Sequence, residues 1–125
     1  MVNYTQEELE GALRAIRSAL GKSEKVILKL KPGTSQYTMT EQGIAAYRMS
    51  IALISGASEG RFSKDELEMG VRALTSFIVR VEAVLPKFQP GTSQHTLAVR
   101  RIRAFEIGIA LLDGELRKTG AAPQE

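Results

Sequence analysis

The sequence predicts an all-α fold, an up-down-up-down four-helix bundle made from a tandemly duplicated helical hairpin with pseudo-twofold symmetry. Three observations predict it. First, Pro32-Gly33-Thr34-Ser35-Gln36 recurs as Pro90-Gly91-Thr92-Ser93-Gln94, and the same offset aligns Glu8-Leu9-Glu10 with Glu66-Leu67-Glu68 and Ile51-Ala52-Leu53 with Ile109-Ala110-Leu111. Roughly 40% of positions from Tyr4 to Gly56 equal their partners in Phe62 to Gly114, without a gap. Second, each unit opens on a capping box, Thr5 with Glu8 and Ser63 with Glu66, in which the hydroxyl and the carboxylate each satisfy an orphan backbone N–H. Third, apolar residues recur in steps of three and four, the period of one helix face.

The first helix is expected over about 6 to 30, on the stripe Leu9, Leu13, Ile16, Leu20, Ile27 and Leu30. Tyr4 before its cap can staple onto Leu9, as Phe62 can onto Leu67. The second helix, about 36 to 55, follows the Pro-Gly turn on Ile44, Tyr47, Ile51 and Ile54, with Gly56 as its C-terminal cap. The third, about 64 to 87, carries Leu67, Val71, Leu74, Ile78, Val81, Leu85 and Phe88. Pro86 cannot donate a backbone hydrogen bond, so this helix kinks or ends there. The fourth, about 94 to 117, carries Ile102, Phe105, Ile109 and Leu112; Gly114 suits a cap, unless Leu116 prolongs the stripe. Repeat units of about 4–56 and 62–114, a linker at 57–61 and a frayed tail at 118–125 then make one domain, 1–125. Neither hairpin can bury its stripe alone, so the two should pack together. Met49, Leu53, Ile107 and Leu111 lie beside the main stripes and keep a dimeric or domain-swapped version open.

Composition narrows the function classes. Without cysteine there are no disulfides and no thiolate chemistry, which suits a cytoplasmic protein. The opening Met-Val-Asn-Tyr-Thr-Gln-Glu-Glu has no basic or apolar run of a signal peptide, and the apolar stretch from Met49 to Ser58 is too short to span a bilayer. A net charge of +3 permits an anionic partner without requiring one. No cofactor is implied. His95 is the only histidine, and with no cysteine and no Glu-x-x-His pair the sequence offers no metal site. No catalytic residues are assigned.

The two Pro-Gly-Thr-Ser-Gln turns fall at the same end of such a bundle. That end would gather Thr34, Ser35, Gln36, Thr92, Ser93, Gln94 and His95, with Lys29 and Lys87 just before each Pro. Helix N-termini there favour a phosphate, a carboxylate or an acidic partner. The plainer reading, that Pro-Gly forces the turn and Thr or Ser caps the next helix, is favoured. His95 stands opposite Tyr37 in the repeat, which suggests a planar polar ring near a helix start. Arg100, Arg101 and Arg103 around one turn of a helix, with Arg48 in the other unit and Lys22, Lys25, Lys29 and Lys31 along the first helix, could contact nucleic-acid phosphates, but with a net charge of only +3 a solvated charged face is favoured. No aromatic platform interleaves with them. Glu10 with Arg14 and Glu68 with Arg72 have favourable i,i+4 spacing. Glu24 and Glu82, matched across the repeat, are expected to meet a Lys or Arg of a neighbouring helix rather than each other.

The segment Pro90-Gly91-Thr92-Ser93-Gln94-His95-Thr96-Leu97, followed by Arg101-Ile102-Arg103-Ala104-Phe105, resembles part of a group of small uncharacterised bacterial helical proteins. The resemblance implies a helical fold and carries no catalytic residue across. Together these readings point to a non-enzymatic interaction module that engages a protein partner or another copy. The alternatives are a nucleic-acid-associated protein using the Arg-rich helix and a small-anion binder at the two turns.

Overall fold

The computed structural model describes residues 3–56 and 61–118. Four helices form the bundle: α1 (Gln6–Ile27), α2 (Ser35–Ile54), α3 (Lys64–Val84) and α4 (Ser93–Leu116). No strand occurs among the described residues. Each helix packs on its neighbours around the bundle, and α2 and α4 also meet across its diagonal. The diagonal contact explains the apolar residues beside the main stripes. An inner helix with three neighbours must be apolar on more than one side, so Met49 and Ile107 are buried within one chain, and Leu53 and Leu111 pack on the same core.

The helix starts follow from their caps. Thr5 Oγ1 accepts from the Glu8 N–H at 3.0 Å while the Glu8 carboxylate accepts from the Thr5 N–H at 2.9 Å. Ser63 and Glu66 repeat the arrangement at 3.1 and 2.8 Å. Tyr4 and Phe62 pack on the core just before these caps. Both hairpin turns are type II-like: Gly33 and Gly91 have φ of 92° and 91°, and the N–H of the following Thr donates to the carbonyl of Lys31 or Gln89. Thr34 and Thr92 then cap α2 and α4, accepting from the N–H of Tyr37 and His95, each at 3.2 Å.

One end differs from expectation, and one open alternative is decided: α4 ends at Leu116, close to the expected 117. Helix α1 stops at Ile27, short of residue 30, because Lys29 and Leu30 donate three residues back to Val26 and Ile27. This tightened turn prepares the extended residue that must precede Pro32. Helix α4 runs through Gly114, which is no cap; Glu115 is buried and Leu116 packs on the core, so continuing the helix buries more surface than stopping. Gly56 does follow the end of α2, at φ 89°. Pro86 acts as expected: α3 ends at Val84 and a 3-10 turn spans Leu85–Lys87. The linker at 57–61, apart from Arg61, and the tail beyond Lys118 lie outside the described residues.

The core is aliphatic with one aromatic cluster. Ile16, Leu67, Leu74, Phe105, Ile107 and Leu112 are fully buried. The ring of Phe105 stacks on Tyr47 at 5.7 Å, and Phe77 lies 5.8 Å from Tyr47 and 6.2 Å from Phe105. Glycine lets α4 approach α2 at Gly108, and α3 approach both at Gly70. A Cβ on Gly108 would sit 2.9 Å from Ser50 Oγ, its own repeat partner, and one on Gly70 would sit 2.8 Å from Met49 Cε. Ser50 is buried, but its hydroxyl donates to the Ala46 carbonyl at 2.9 Å, so no polar group is left orphaned at the crossing.

Candidate functional site

The repeated turns are occupied with their own structure. Thr34 Oγ1 donates to the Lys31 carbonyl at 2.8 Å while capping α2, and Thr92 Oγ1 donates to the Gln89 carbonyl at 2.7 Å while capping α4. Ser35, Gln36, Ser93, Gln94, Lys29 and Lys87 are exposed, and His95 is half-buried. One shallow cleft at the second turn includes Gly91, Ser93, Thr96 and Arg100. It takes nothing from the first turn.

The four arginines face different surroundings. Arg48 binds Glu24 of α1 at 2.8 Å, as expected for that carboxylate, whereas Glu82 is exposed and makes no ion pair among the described residues. Arg103 binds Glu8 at 2.8 Å, lies 3.8 Å from Glu106, and covers the Tyr4 ring at 5.5 Å. The Glu8 carboxyl is held below its ordinary value by the Thr5 backbone N–H and by Arg103. Glu10 accepts from Gln6 at 3.1 Å rather than bridging to Arg14. Arg100 and Arg101 make no ion pair among the described residues, and they point into different cavities.

The larger cavity is a groove of about 530 Å³ between α1 and α4. Its floor is made of small residues, Gly11, Ala12 and Ala15 on α1 and Ala104 on α4, so the helices leave a channel that no side chain fills. Leu97 and Val99 line it while remaining 44% exposed each. Arg14 and Arg100 stand among its lining residues, and so do the paired Glu8 and Arg103.

The smaller cavity, about 220 Å³, opens where all four helices converge below the turns. Lys22, Arg80 and Arg101 line it with the Ser23 hydroxyl, over the rings of Tyr47, Phe77 and Phe105. Burial pushes the Tyr47 hydroxyl up to about 12, with Arg101 and Ser23 acting in the opposite direction. The phenol is therefore a neutral hydrogen-bonding group at every ordinary pH.

Sequence reasoning missed both cavities as units. It named Arg100, Arg101 and Arg103 but read them as one run, it placed Tyr47 in the core stripe alone, and it passed over Gly11 and Arg80. A signal was present: Gly11 is matched by Met69, Ala19 by Phe77 and Gly43 by Arg101, large size changes between otherwise matched positions. Comparison with protein-family models, with curated proteins and with solved structures finds no match to this chain. Among the described residues no helix is long and apolar enough to cross a membrane, and no group of three or more His, Cys, Asp or Glu gathers to hold a metal.

Proposed function

We propose that the protein is a non-catalytic helical interaction module whose α1–α4 groove receives an amphipathic helix of a protein partner or of a second copy. The observation that carries this reading is the groove itself, a channel floored by Gly11, Ala12, Ala15 and Ala104 and flanked by half-exposed Leu97 and Val99. A helix with an apolar stripe docks into such a channel by its i, i+3, i+4 and i+7 residues. Arg14 and Arg100, which make no ion pair among the described residues, outnumber the one unpaired acid of the lining, Glu7, and favour acidic residues on the flanks of that helix. Among the described residues, Arg48 and Arg103, two of the four arginines considered for phosphate contact, are held by carboxylates, which supports this reading over nucleic-acid binding.

We read the chain further as cytoplasmic, on its lack of cysteine, and as one of the small bacterial helical proteins its second half resembles. The matched caps, turns and positive-φ glycines of the two hairpins support their origin from one duplicated hairpin. The test of the interaction reading is Leu97→Glu, set against Val79→Glu as an exposed-residue control. Sedimentation of the pure protein reads self-association, and capture from a cell extract reads a foreign partner. A complex retained by wild type and the control but lost by Leu97→Glu supports the reading, and equal behaviour of all three refutes it.

A further inference from the structure

The convergence of three cations on an aromatic floor is independent of the groove. We infer that the pocket below the turns binds a small anion with a flat apolar body, of the class of single-ring aromatic carboxylates and phosphates.

The pocket arises from an exchange of sizes across the bundle. On one side of the diagonal, Phe77 of α3 lies against Gly43 of α2, so closely that a Cβ there would be 2.8 Å from the ring. The equivalent positions on the other side hold Ala19 and Arg101. Alanine cannot fill the space that a phenylalanine fills, and a guanidinium is not driven to bury itself without a partner. A cavity of about 220 Å³ is left over the rings of Tyr47, Phe77 and Phe105.

Its charge is one-sided. Lys22 and Arg80 occupy equivalent positions of the two hairpins, Arg101 joins them from α4, and no carboxylate lines the cavity. None of the three makes an ion pair among the described residues; Arg80 is in contact with the Met39 sulfur. Three unneutralised cations around one opening repel each other, and that repulsion is relieved by an anion held among them. The Ser23 and Tyr47 hydroxyls, within hydrogen-bonding reach of each other, leave one further donor between them. Size and floor define the rest of the ligand. The volume falls below the roughly 300–1,000 Å³ of pockets for drug-sized molecules, so one ring fits and a fused or extended body does not. The aromatic floor rewards a flat apolar face, and the cations select an acid over a neutral ring.

The test uses the full chain, labelled with nitrogen-15 and titrated separately with benzoate and phenyl phosphate, with phenol and inorganic phosphate as half-ligand controls. Saturable amide shifts at Ser23, Tyr47 and Arg101 are expected with both aromatic anions, and affinity at least about tenfold above either control. The tighter of the two identifies the head group. Arg101→Gln should weaken binding about tenfold, the loss of one charge-assisted hydrogen bond, while leaving the circular dichroism spectrum unchanged. Ala19→Phe should fill the pocket and abolish the shifts; Lys22→Gln, at an exposed position, serves in its place if that variant does not fold. Shifts that do not saturate, shifts unchanged by Arg101→Gln, or phosphate binding as tightly as phenyl phosphate would each overturn the assignment.

Discussion

The α1–α4 and α2–α3 seams are counterparts in the bundle, and they are finished in opposite ways. At the α1–α4 seam Gly11 faces a channel, and a Cβ added there would meet nothing within 4 Å. At the α2–α3 seam the equivalent residue is Met69, which packs on the core, and the next residue, Gly70, lies so near Met49 and Leu112 that a Cβ would be 2.8 and 3.0 Å from them. The polar edges differ in the same sense. The cap carboxylate Glu8 is gripped by Arg103 across the open seam, whereas Glu66 at the other cap faces no such arginine because Ala45 stands where Arg103 would. One helical skeleton therefore gives a sealed seam where a flexible thioether fills it and a clamped channel where glycine and alanine do not. The sealed seam serves stability. The open one is free to serve recognition.

The largest effect is expected from forcing the sealed seam apart. Gly70→Leu must displace Met49 and Leu112 from a full core, and should lower stability by about 3 kcal/mol in denaturant unfolding. Making the sealed seam resemble the open one comes next: Met69→Gly removes a half-buried side chain and adds a helical glycine, for a loss of about 2 kcal/mol in the same assay. The reverse exchange has the opposite sign. Gly11→Met relieves a helical glycine and buries apolar surface in the channel, so a gain of about 1 kcal/mol is expected.

The smallest effect concerns acid. Because Glu8 is held below its ordinary value of 4.5 when folded, its contribution is complete above that value and fades as pH falls through the lower, folded one. Glu8→Gln should therefore flatten the acid limb of the melting-temperature profile below pH 4.5 and change little of its shape above. An unchanged acid limb would show that the Arg103 clamp does not hold in solution.

The helices were legible in the sequence because their determinants are local. A capping box needs only Thr5 and Glu8, a type II turn only Pro32 and Gly33, and a stripe only its own spacing. The helix ends were less legible where tertiary packing intervened, as at Gly114, which suited a cap until Leu116 was seen to prolong the stripe and Glu115 to be buried with it. The cavities were not legible at all as cavities. Each depends on pairs distant in the chain, Gly11 against Ala104 or Ala19 against Arg101, and on which faces of α4 the consecutive arginines present. The same arginine run that reads as one basic patch in sequence divides between the groove and the pocket, since neighbours on a helix point about 100° apart. The repeat offered the one usable clue, because a size change between otherwise matched positions marks where the two halves cannot be equivalent.

The most direct test of the open seam as the recognition surface is quantitative capture from a cell extract by wild-type chain and by Gly11→Met, with self-association of each read by sedimentation. The channel account predicts a variant that is more stable yet has lost the complex, because its methionine occupies the place of the incoming helix. A more stable variant that retains the same complex as fully as wild type would contradict the account, and the groove would then be no more than a gap left by small residues.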